Sequence, residues 1–295
     1  MGEKVERKVI GKFLEKKFPN SGIKSLVKMS GGLSESVVFK LRIVNPKKEL
    51  LVKIFPQSNI GRVSEEKRIL DYLSKKDFRI QKVVFFKGEF CENLGILVTT
   101  FIEGKTLHFY LKNKCKKYLR EVAFELAKIH KLSNTRSWTS KTYPMFTAND
   151  WLKEIDRKIR KVENKRYKKY LHGWFDKLRK GKLRIVPLHG DFNPKNIIVS
   201  KNGVGLIDFE IHRIGDLPFE LACIKNWFLF YGYLRYFEDF LDEYTKIKGL
   251  SDEEIKRIDF YYFFRLITTM KYAPKKNKRE IERIIYDKFH GTGQC

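Results

Sequence analysis

VPLHGDFNPKNIIVSKNGVGLIDFE, the stretch from Val186 to Glu210, is the most informative part of the chain. It contains a His-Gly-Asp sequence that ends at Asp191, and Asn196 follows five residues later. Two short apolar runs come next, and the Asn-Gly pair between them is a strong signal for a tight β-hairpin. Asp208 follows the second run directly. We therefore expect a loop that leads into a hairpin, with Asp191, Asn196 and Asp208 at the same end of it.

These three side chains are of the types that phosphoryl transfer requires. The Asn196 amide and the Asp208 carboxylate are hard oxygen ligands, which suit Mg²⁺ when phosphate and water complete its shell. Asp191 can then orient a hydroxyl group and accept its proton. For any one of them alone, a solvated loop residue is the simpler interpretation, because acids are common in loops. Their joint occurrence predicts the catalytic apparatus of a kinase, with Asp191 as the catalytic residue and Asn196 and Asp208 as metal ligands.

The same segments carry a resemblance to a known family. The blocks HGDFNPKN, His189–Asn196, and IDFE, Ile207–Glu210, resemble the signature of the aminoglycoside phosphotransferase and choline kinase superfamily. The later segment GDLPFELA, Gly215–Ala222, resembles the family's G-D-P-x-x-D-L-A, with Glu220 where aspartate is usual. The members of this superfamily are small-molecule kinases with a protein-kinase-like fold. Transfer of phosphate to a small molecule is therefore what the resemblance implies.

A protein kinase is disfavoured by the same residues. Protein serine/threonine kinases have lysine where this chain has Asn193 and glycine where it has Glu210, and no Ala-Pro-Glu segment follows at the expected distance. The resemblance implies an α+β, two-lobed fold. We expect residues 1–104 to form an N-terminal lobe with an antiparallel, nucleotide-covering sheet. Residues 105–295 would form a larger, mostly helical C-terminal lobe with the catalytic hairpin and the acceptor site.

The pattern of apolar residues supports this division. In the first hundred residues it predicts a helix, three strands, a second helix and two further strands, at 3–18, 23–29, 36–44, 50–55, 62–75, 82–87 and 94–100. From Leu107 onward helical spacing dominates. The basic segment from Asn149 to Leu178 has apolar residues at helical intervals, which predicts one or two amphipathic helices with a basic outer face.

Lys53 is the predicted anchor of the nucleotide. It lies in the apolar run LLVKIF, where a buried ammonium group is costly unless it is paired. Glu66, in the following helix, is the natural partner, and Glu65 is its competitor. An outward-facing lysine on a strand edge is the alternative interpretation. The resemblance implies a Lys53–Glu66 ion pair in which Lys53 reaches the α- and β-phosphates.

Two further segments are candidates for contacts with ATP or GTP. The turn with Gly31, Gly32 and Ser34 lets the backbone approach phosphate oxygens, although a plain hairpin turn explains the glycines equally well. The segment after the last predicted strand resembles the family's linker between the lobes, where the Thr100 carbonyl and the Ile102 N–H would bind the purine. Because recognition there uses the backbone, the sequence leaves ATP and GTP as alternatives.

Charge separates the candidate functions. The chain has 62 Lys and Arg against 35 Asp and Glu, a formal charge of +27, which favours polyanions as partners. A polycationic acceptor such as an aminoglycoside is disfavoured, and the acceptor stays unidentified. The alternative function is a protein that binds nucleic acid or an anionic surface on a kinase-like scaffold. Its candidate residues are basic, with two interleaved tyrosines: Lys158, Arg160, Lys161, Lys165, Arg166, Lys168, Lys169, Tyr167 and Tyr170.

The sequence lacks the segments that direct a protein into or across a membrane. No apolar run approaches the roughly 20 residues that span a bilayer, and the first residues do not resemble a signal peptide. The four cysteines are widely separated and suggest neither a zinc site nor a disulfide framework. We therefore expect a cytoplasmic enzyme with no transmembrane segment that uses Mg²⁺ and ATP or GTP to phosphorylate a small-molecule hydroxyl. The sequence gives no indication of its oligomeric state.

Overall fold

The computed structural model describes residues 3–29, 35–112, 115–133, 138–139, 147–269 and 275–290. The chain forms two compact units. The first consists of Met1–Gly104 and Ser200–Ile211, and the second of Lys105–Val199 and His212–Cys295. The chain therefore leaves the first unit after Gly104 and returns to it for the residues that follow the loop with Asp191 and Asn196.

An antiparallel five-stranded sheet dominates the first unit, with strand order β1-β2-β3-β5-β4. Its elements are α1 (Glu3–Lys17), β1 (Ile23–Lys28), β2 (Val37–Ile43), β3 (Lys48–Pro56), α2 (Ile60–Leu73), β4 (Val83–Cys91) and β5 (Leu94–Thr100). A short 3-10 turn, Gln57–Asn59, joins β3 to α2. The sheet and its two helices confirm the secondary structure that the sequence predicts for this part of the chain.

The two faces of β3 bury different groups, because side chains alternate along a strand. Leu50, Val52 and Ile54 are buried in a core that also contains the apolar stripe of α1. Lys53 has the opposite parity. It shares its face with Phe55, which packs against Val63 of α2. The alternation of apolar residues in this strand thus directs Lys53 to the side of the sheet that α2 covers.

The remaining elements are mostly helical. In chain order they are β6 (Lys105–Thr106), α3 (Leu107–Tyr110), α4 (Lys116–His130), α5 (Ala148–Arg160), α6 (Lys165–Lys180), β7 (Ile185–Leu188), β8 (Ile197–Ser200), β9 (Gly203–Leu206), β10 (Arg213–Asp216), α7 (Leu217–Tyr231), α8 (Tyr236–Lys248), α9 (Asp252–Thr269) and α10 (Lys275–His290). In the second unit β7 pairs with β10, and β6 pairs with β8, both antiparallel. The turn at Lys201–Asn202 joins β8 to β9, where the sequence predicts a hairpin turn.

Helix α7 is the centre of the second unit. Nearly all of its residues are buried, as expected of a helix that is apolar on every side. Pro218 stands in its first turn, and Gly232, with φ +81°, ends it in the left-handed conformation that glycine adopts without strain. Because α7 is fixed at both ends and along its length, side chains that project from it are firmly positioned.

Helices α5 and α6 confirm that the basic segment, for which the sequence predicts one or two amphipathic helices, is helical, and there are two helices. A capping box between Thr147 and Asp150 begins α5, and the Asn164 side chain accepts hydrogen bonds from the first turn of α6. Within the described residues, no helix combines the length and apolar character that crossing a membrane requires.

Gly215→Ala tests the packing of β10 against α5 and β7. A Cβ atom at this position would lie 2.6 Å from the Trp151 ring and 2.8 Å from a methyl group of Leu188. The Trp151 ring cannot move easily, because it is buried and its Nε1 donates a hydrogen bond to the Tyr261 hydroxyl at 2.8 Å. We expect chemical denaturation to show a loss of about 1–3 kcal/mol in the free energy of unfolding.

The matched control is Gly173→Ala in α6, where a Cβ would meet nothing within 4 Å. Alanine is a better helix former than glycine by about 1 kcal/mol, so this variant should be at least as stable as the parent. Equal stability of the two variants would contradict the tight packing around Gly215.

Candidate active site

Lys53 is the centre of an ion-pair cluster in the first unit. Its Nζ donates to Glu66 Oε2 at 2.7 Å and to Glu210 Oε1 at 2.9 Å. The Glu66 partner is the one that the sequence predicts, whereas Glu65 pairs with Arg68 on the same helix at 2.9 Å. Glu210, whose role the sequence leaves open, is the second partner. The structure therefore brings together two predicted nucleotide-site residues and one further carboxylate.

Burial and charge oppose each other in this cluster. Burial acts to lower the pKa of Lys53, but the carboxylates of Glu66, Glu210 and Asp208 outweigh it and raise the pKa, so the ammonium stays protonated. Burial raises the pKa of Glu66 to about 7, although Lys53 opposes the shift. Two carboxylates thus contact the ammonium group directly, and the charge of a third, Asp208, acts on it. Such a surplus of negative charge favours the arrival of another cation.

Asp208 has an unusual backbone. Its φ of +64° lies in the left-handed region, which residues other than glycine seldom adopt. The neighbouring Phe209 is fully buried, whereas Asp208 and Glu210 on either side of it are only half-buried. An observed backbone outlier of this kind is a reason to suspect a functional role, since strained conformations cluster at such sites.

Hydrogen bonds hold the segment before Asp208 within the first unit. Leu206 N donates to the Arg79 carbonyl at 3.1 Å, and Ile80 forms a parallel bridge with Leu206. The Arg79 guanidinium donates to the carbonyl of Gly203, and to that of Glu103 at 2.8 Å. These contacts connect β9 to the segment before β4. They explain why the residues around Asp208 belong to the first unit.

The other predicted nucleotide contacts are less defined. Gly31, Gly32 and Ser34 lie outside the described residues. Thr100, at the end of β5, donates its N–H to the Lys82 carbonyl at 2.9 Å and accepts from Lys82 N through its hydroxyl at 2.9 Å. Ile102 follows with its side chain half-exposed. The role of all five residues in nucleotide binding stays a prediction.

In the second unit, Asp191 and Asn196 lie together on one loop. The Asn196 amide nitrogen donates to the Asp191 carboxylate at 3.0 Å and to its carbonyl at 3.1 Å. Asn193 N also donates to that carbonyl, at 2.7 Å. Because the amide nitrogen of Asn196 is engaged with Asp191, Oδ1 is the atom through which Asn196 could ligate a cation.

Helix α7 fixes this loop from its C-terminal end. The Tyr231 hydroxyl donates to Asn193 Oδ1 at 2.9 Å, and Lys195 N donates to the same oxygen at 3.0 Å. Burial raises the pKa of Tyr231 to about 12, so the hydroxyl keeps its proton and acts as the donor. The hydrogen bond therefore ties the loop that carries Asp191 to the most buried helix of the unit.

Glu220 fixes the same loop at its other end. This fully buried carboxylate of α7 accepts from His189 N at 2.8 Å and from Gly190 N at 2.7 Å. His130 Nε2 lies 3.1 Å from Glu220 Oε2, and His130 Nδ1 lies 2.5 Å from the Tyr244 hydroxyl. In the sequence, Glu220 stands out only as a departure from the family pattern. The available signal was an acid within the apolar run LPFELACI, since a buried acid needs partners.

The charge states in this network follow from burial. Burial acts to raise the pKa of Glu220, but the hydrogen bonds from His130 and the Gly190 N–H outweigh it and hold the pKa below its ordinary value. Burial lowers the pKa of His130, although the Glu220 carboxylate opposes the shift. At neutral pH the network therefore contains a carboxylate and a neutral imidazole that donates to it through Nε2.

A metal would have to bind with few protein ligands. Within the described part of the chain, no group of three or more His, Cys, Asp or Glu residues is arranged to hold a metal ion. Mg²⁺ on a nucleotide does not need such a group, because phosphates and water supply most of its ligands. The Asn196 amide oxygen and the Asp208 carboxylate are donors of the kind that this ion prefers.

Comparison with known proteins identifies the family. A model of the phosphotransferase enzyme family matches residues 26–251. The chain belongs to this family. No curated protein matches it by sequence. As a member, it is a kinase-type phosphotransferase that acts on hydroxyl groups of small molecules, in agreement with the resemblance that its motifs carry.

Several solved aminoglycoside phosphotransferase structures share the fold of this phosphotransferase. The GDP complex of wild-type aminoglycoside 2'-phosphotransferase-IIIa has 13% identity and a TM-score of 0.70, over 99% of this chain and 100% of that chain. A thermostable mutant of APH(4)-Ia in ternary complex with ADP and hygromycin B has 16% identity and a TM-score of 0.66, over 96% and 99%. APH(3'')-Id from Streptomyces rimosus ATCC10970 has 16% identity and a TM-score of 0.61, over 90% of this chain and 99% of that chain. The predicted two-lobed, kinase-like α+β fold is confirmed.

A pH-dependent contribution to stability follows from His130. Because its pKa is lower in the folded protein than in the unfolded chain, the unfolded chain binds more protons as the pH falls through about 6.5. His130 thus stabilises the phosphotransferase above this pH and loses that effect below it. His130→Gln keeps a donor for Glu220 but does not titrate. We expect the difference in free energy of unfolding between parent and variant to shrink from pH 7.5 to pH 5.

Denaturant titrations of both proteins at each pH give this difference directly. The comparison with the variant is necessary because other groups also titrate between pH 5 and pH 7.5. Burial raises the pKa values of Glu66 and Asp216, so these two carboxyl groups make the protein more stable as the pH falls, opposite to His130. A difference that stays constant with pH would show that His130 does not titrate differently on folding.

Proposed function

We propose that this phosphotransferase transfers the γ-phosphoryl group of ATP or GTP to a hydroxyl group of a small-molecule acceptor, with Mg²⁺ as the metal. The observation that carries the proposal is the buried ammonium of Lys53, held at 2.7 and 2.9 Å by two carboxylates beside Asp208. A lysine needs no such arrangement for stability alone, because an apolar side chain of similar volume would remove the cost of burying its charge.

Lys53 binds the nucleotide phosphates in this proposal. Glu66 holds the ammonium from α2 and keeps its pKa high, so that a full positive charge faces the α- and β-phosphates. Glu210 is the second carboxylate on the same nitrogen. It holds Lys53 when no nucleotide is present, and the phosphate oxygens compete with it for the ammonium when the nucleotide binds.

Asp208 and Asn196 are the proposed metal ligands, through a carboxylate oxygen and the amide Oδ1. When bound with the triphosphate, Mg²⁺ neutralises charge on the β- and γ-phosphates. Asp208 has a left-handed backbone of the kind that clusters at functional sites, and the hydrogen bonds from Asn196 Nδ2 to Asp191 leave the amide oxygen available to a cation. The chemistry of both donors supports this assignment.

Asp191 is the proposed catalytic residue. Its carboxylate accepts the proton of the acceptor hydroxyl as the oxygen attacks the γ-phosphorus, and the nucleoside diphosphate leaves. Hydrogen bonds from the Asn196 side chain and from Asn193 N fix its position. The His189 and Gly190 N–H groups just before it donate to Glu220 and hold the backbone there. Most of the acceleration comes from this positioning and from the charges around the transferred group.

The residues beside Asp191 indicate the class of acceptor. Lys195 is exposed on the same loop, with its ammonium 5.6 Å from the centre of the Tyr231 ring. Tyr231 in turn stacks on Trp227, with ring planes 18° apart. A positive charge next to aromatic faces repels a polycation and suits a neutral or anionic hydroxyl compound with an apolar face, such as a sugar or nucleoside. We therefore propose a neutral or anionic acceptor.

A screen of hydroxylated compounds tests the proposal. The full chain is incubated with Mg²⁺ and ATP or GTP, and acceptor-dependent release of ADP or GDP is measured across sugars, nucleosides, amino alcohols and aminoglycosides. We expect stimulation by a neutral or anionic compound. Removal of Mg²⁺ with a chelator should abolish it.

Asp191→Asn and Lys53→Met are the decisive variants. Loss of the catalytic carboxylate should reduce turnover at least 100-fold, the usual range for a general base. Lys53→Met should raise the KM for the nucleotide as well as lower turnover. Asp176→Asn, which removes an exposed acid on α6, is the control and should leave turnover unchanged. Parent-like turnover in Asp191→Asn would rule out its catalytic role.

A further inference from the structure

Helix α6 carries a shallow, open groove on its outer surface. The groove has a volume of about 410 Å³ and is lined by three cations, two aromatic rings and one glycine: Arg166, Lys169, Lys177, Tyr170, Trp174 and Gly173. None of these residues belongs to the loop that carries Asp191. From this groove we propose a second binding site, in which α6 holds single-stranded nucleic acid.

The lining residues share one side of the helix. They recur at three- and four-residue intervals from Arg166 to Lys177, which places them along a single stripe. A different stripe, Leu171, Phe175 and Leu178, is buried in the second unit. The apolar face of α6 is therefore already covered by protein, and the groove stripe faces outward.

Gly173 keeps the groove open. It lies in the interior of α6, where glycine lowers helix stability by about 1 kcal/mol relative to alanine. No packing constraint explains it, since a Cβ at this position would meet nothing within 4 Å. Its missing side chain leaves space between Lys169 and Lys177 on one helix face. A helix position that is suboptimal for stability and open to solvent is expected where a ligand must approach the backbone.

The Trp174 ring is held in place by its packing on α9. Trp174 stacks on Phe260 of α9, with ring centres 6.2 Å apart and planes 19° apart, and Lys177 Nζ lies 5.1 Å from the centre of the Trp174 ring. Tyr170 is half-buried one turn earlier on the helix. Pre-positioned rings at the surface are suitable stacking platforms for bases, each stacking contact being worth about 1–3 kcal/mol.

The cations complete the complementarity. Lys169 and Lys177 are exposed on the same stripe as the rings, so phosphates can contact them while bases stack on Tyr170 and Trp174. The formal charge of +27 adds a long-range attraction for polyanions. Anionic lipid is the less suitable ligand, because a membrane-surface helix inserts its apolar face into the bilayer. In α6 that face is buried in protein.

Fluorescence anisotropy with a labelled oligouridylate and the full chain tests the site. We expect binding that weakens with salt, and a preference for the single strand over a duplex of equal length. The double variant Lys169→Gln/Lys177→Gln should weaken binding at least 10-fold. It should also reduce the slope of log K against log salt by about 1.4, from two phosphate contacts at roughly 0.7 each.

Two further variants distinguish binding at the groove from non-specific attraction by the positive charge of the protein. Lys12→Gln/Lys24→Gln removes the same charge from exposed positions of the first unit and should change affinity less than about two-fold. Gly173→Met changes no charge and fills the groove, so it should weaken binding while the protein stays folded. Equal losses in both double lysine variants, or parent-like binding by Gly173→Met, would overturn the proposal in favour of non-specific attraction.

Tryptophan fluorescence provides a second readout. Stacking of a base on Trp174 should quench its emission, and Trp174→Phe keeps a ring against Phe260 but should lose this part of the quenching. Vesicles of anionic lipid serve as the competing ligand. Groove-dependent binding of vesicles without groove-dependent binding of the oligonucleotide would also overturn the proposal. The result is independent of phosphotransferase activity, because no catalytic-loop residue is altered.

Discussion

A buried ammonium group imposes the main constraint on the first unit. Lys53 lies on the face of the sheet that α2 covers, and a charge in such a place is costly unless carboxylates accompany it. Glu66 supplies one from the adjacent helix, and Glu210 supplies another from a segment 157 residues away in sequence. The register of β3, the position of α2 and the return of the chain after β9 all have to agree for this cluster to form.

The second unit solves a similar problem with the opposite charge. Glu220 is fully buried on α7, and its partners are the N–H groups of His189 and Gly190 together with the His130 ring. Because these partners include the backbone just before Asp191, the hydrogen bonds that satisfy the buried Glu220 carboxylate also position the loop. At the C-terminal end of α7, the Tyr231 hydroxyl fixes the same loop by donating a hydrogen bond to Asn193 Oδ1. These two polar side chains of α7 thus hold in place a loop whose own residues must stay accessible.

Local patterns in the sequence predict the elements well. Alternation of apolar residues indicates β3 and the parity of Lys53, helical spacing indicates α5 and α6, and the motifs indicate the catalytic loop. The sequence also predicts the Lys53–Glu66 ion pair, because a lysine in an apolar strand needs an acidic partner and Glu66 lies in the next helix of the chain. What the sequence does not give are contacts between distant segments. Glu210 with Lys53, Glu220 with the loop amides and Tyr231 with Asn193 depend on tertiary packing, which no local periodicity encodes.

The return of residues Ser200–Ile211 to the first unit has a consequence for how the molecule is made. A nascent chain that has emerged only as far as Gly104 has the sheet and both of its helices, but it lacks β9 and the second carboxylate for Lys53. The ribosome must synthesise about a further hundred residues, a large part of the second unit among them, before the first can be completed. The order of synthesis and the order of assembly therefore differ, and a fragment cut at the apparent boundary would not be a finished domain.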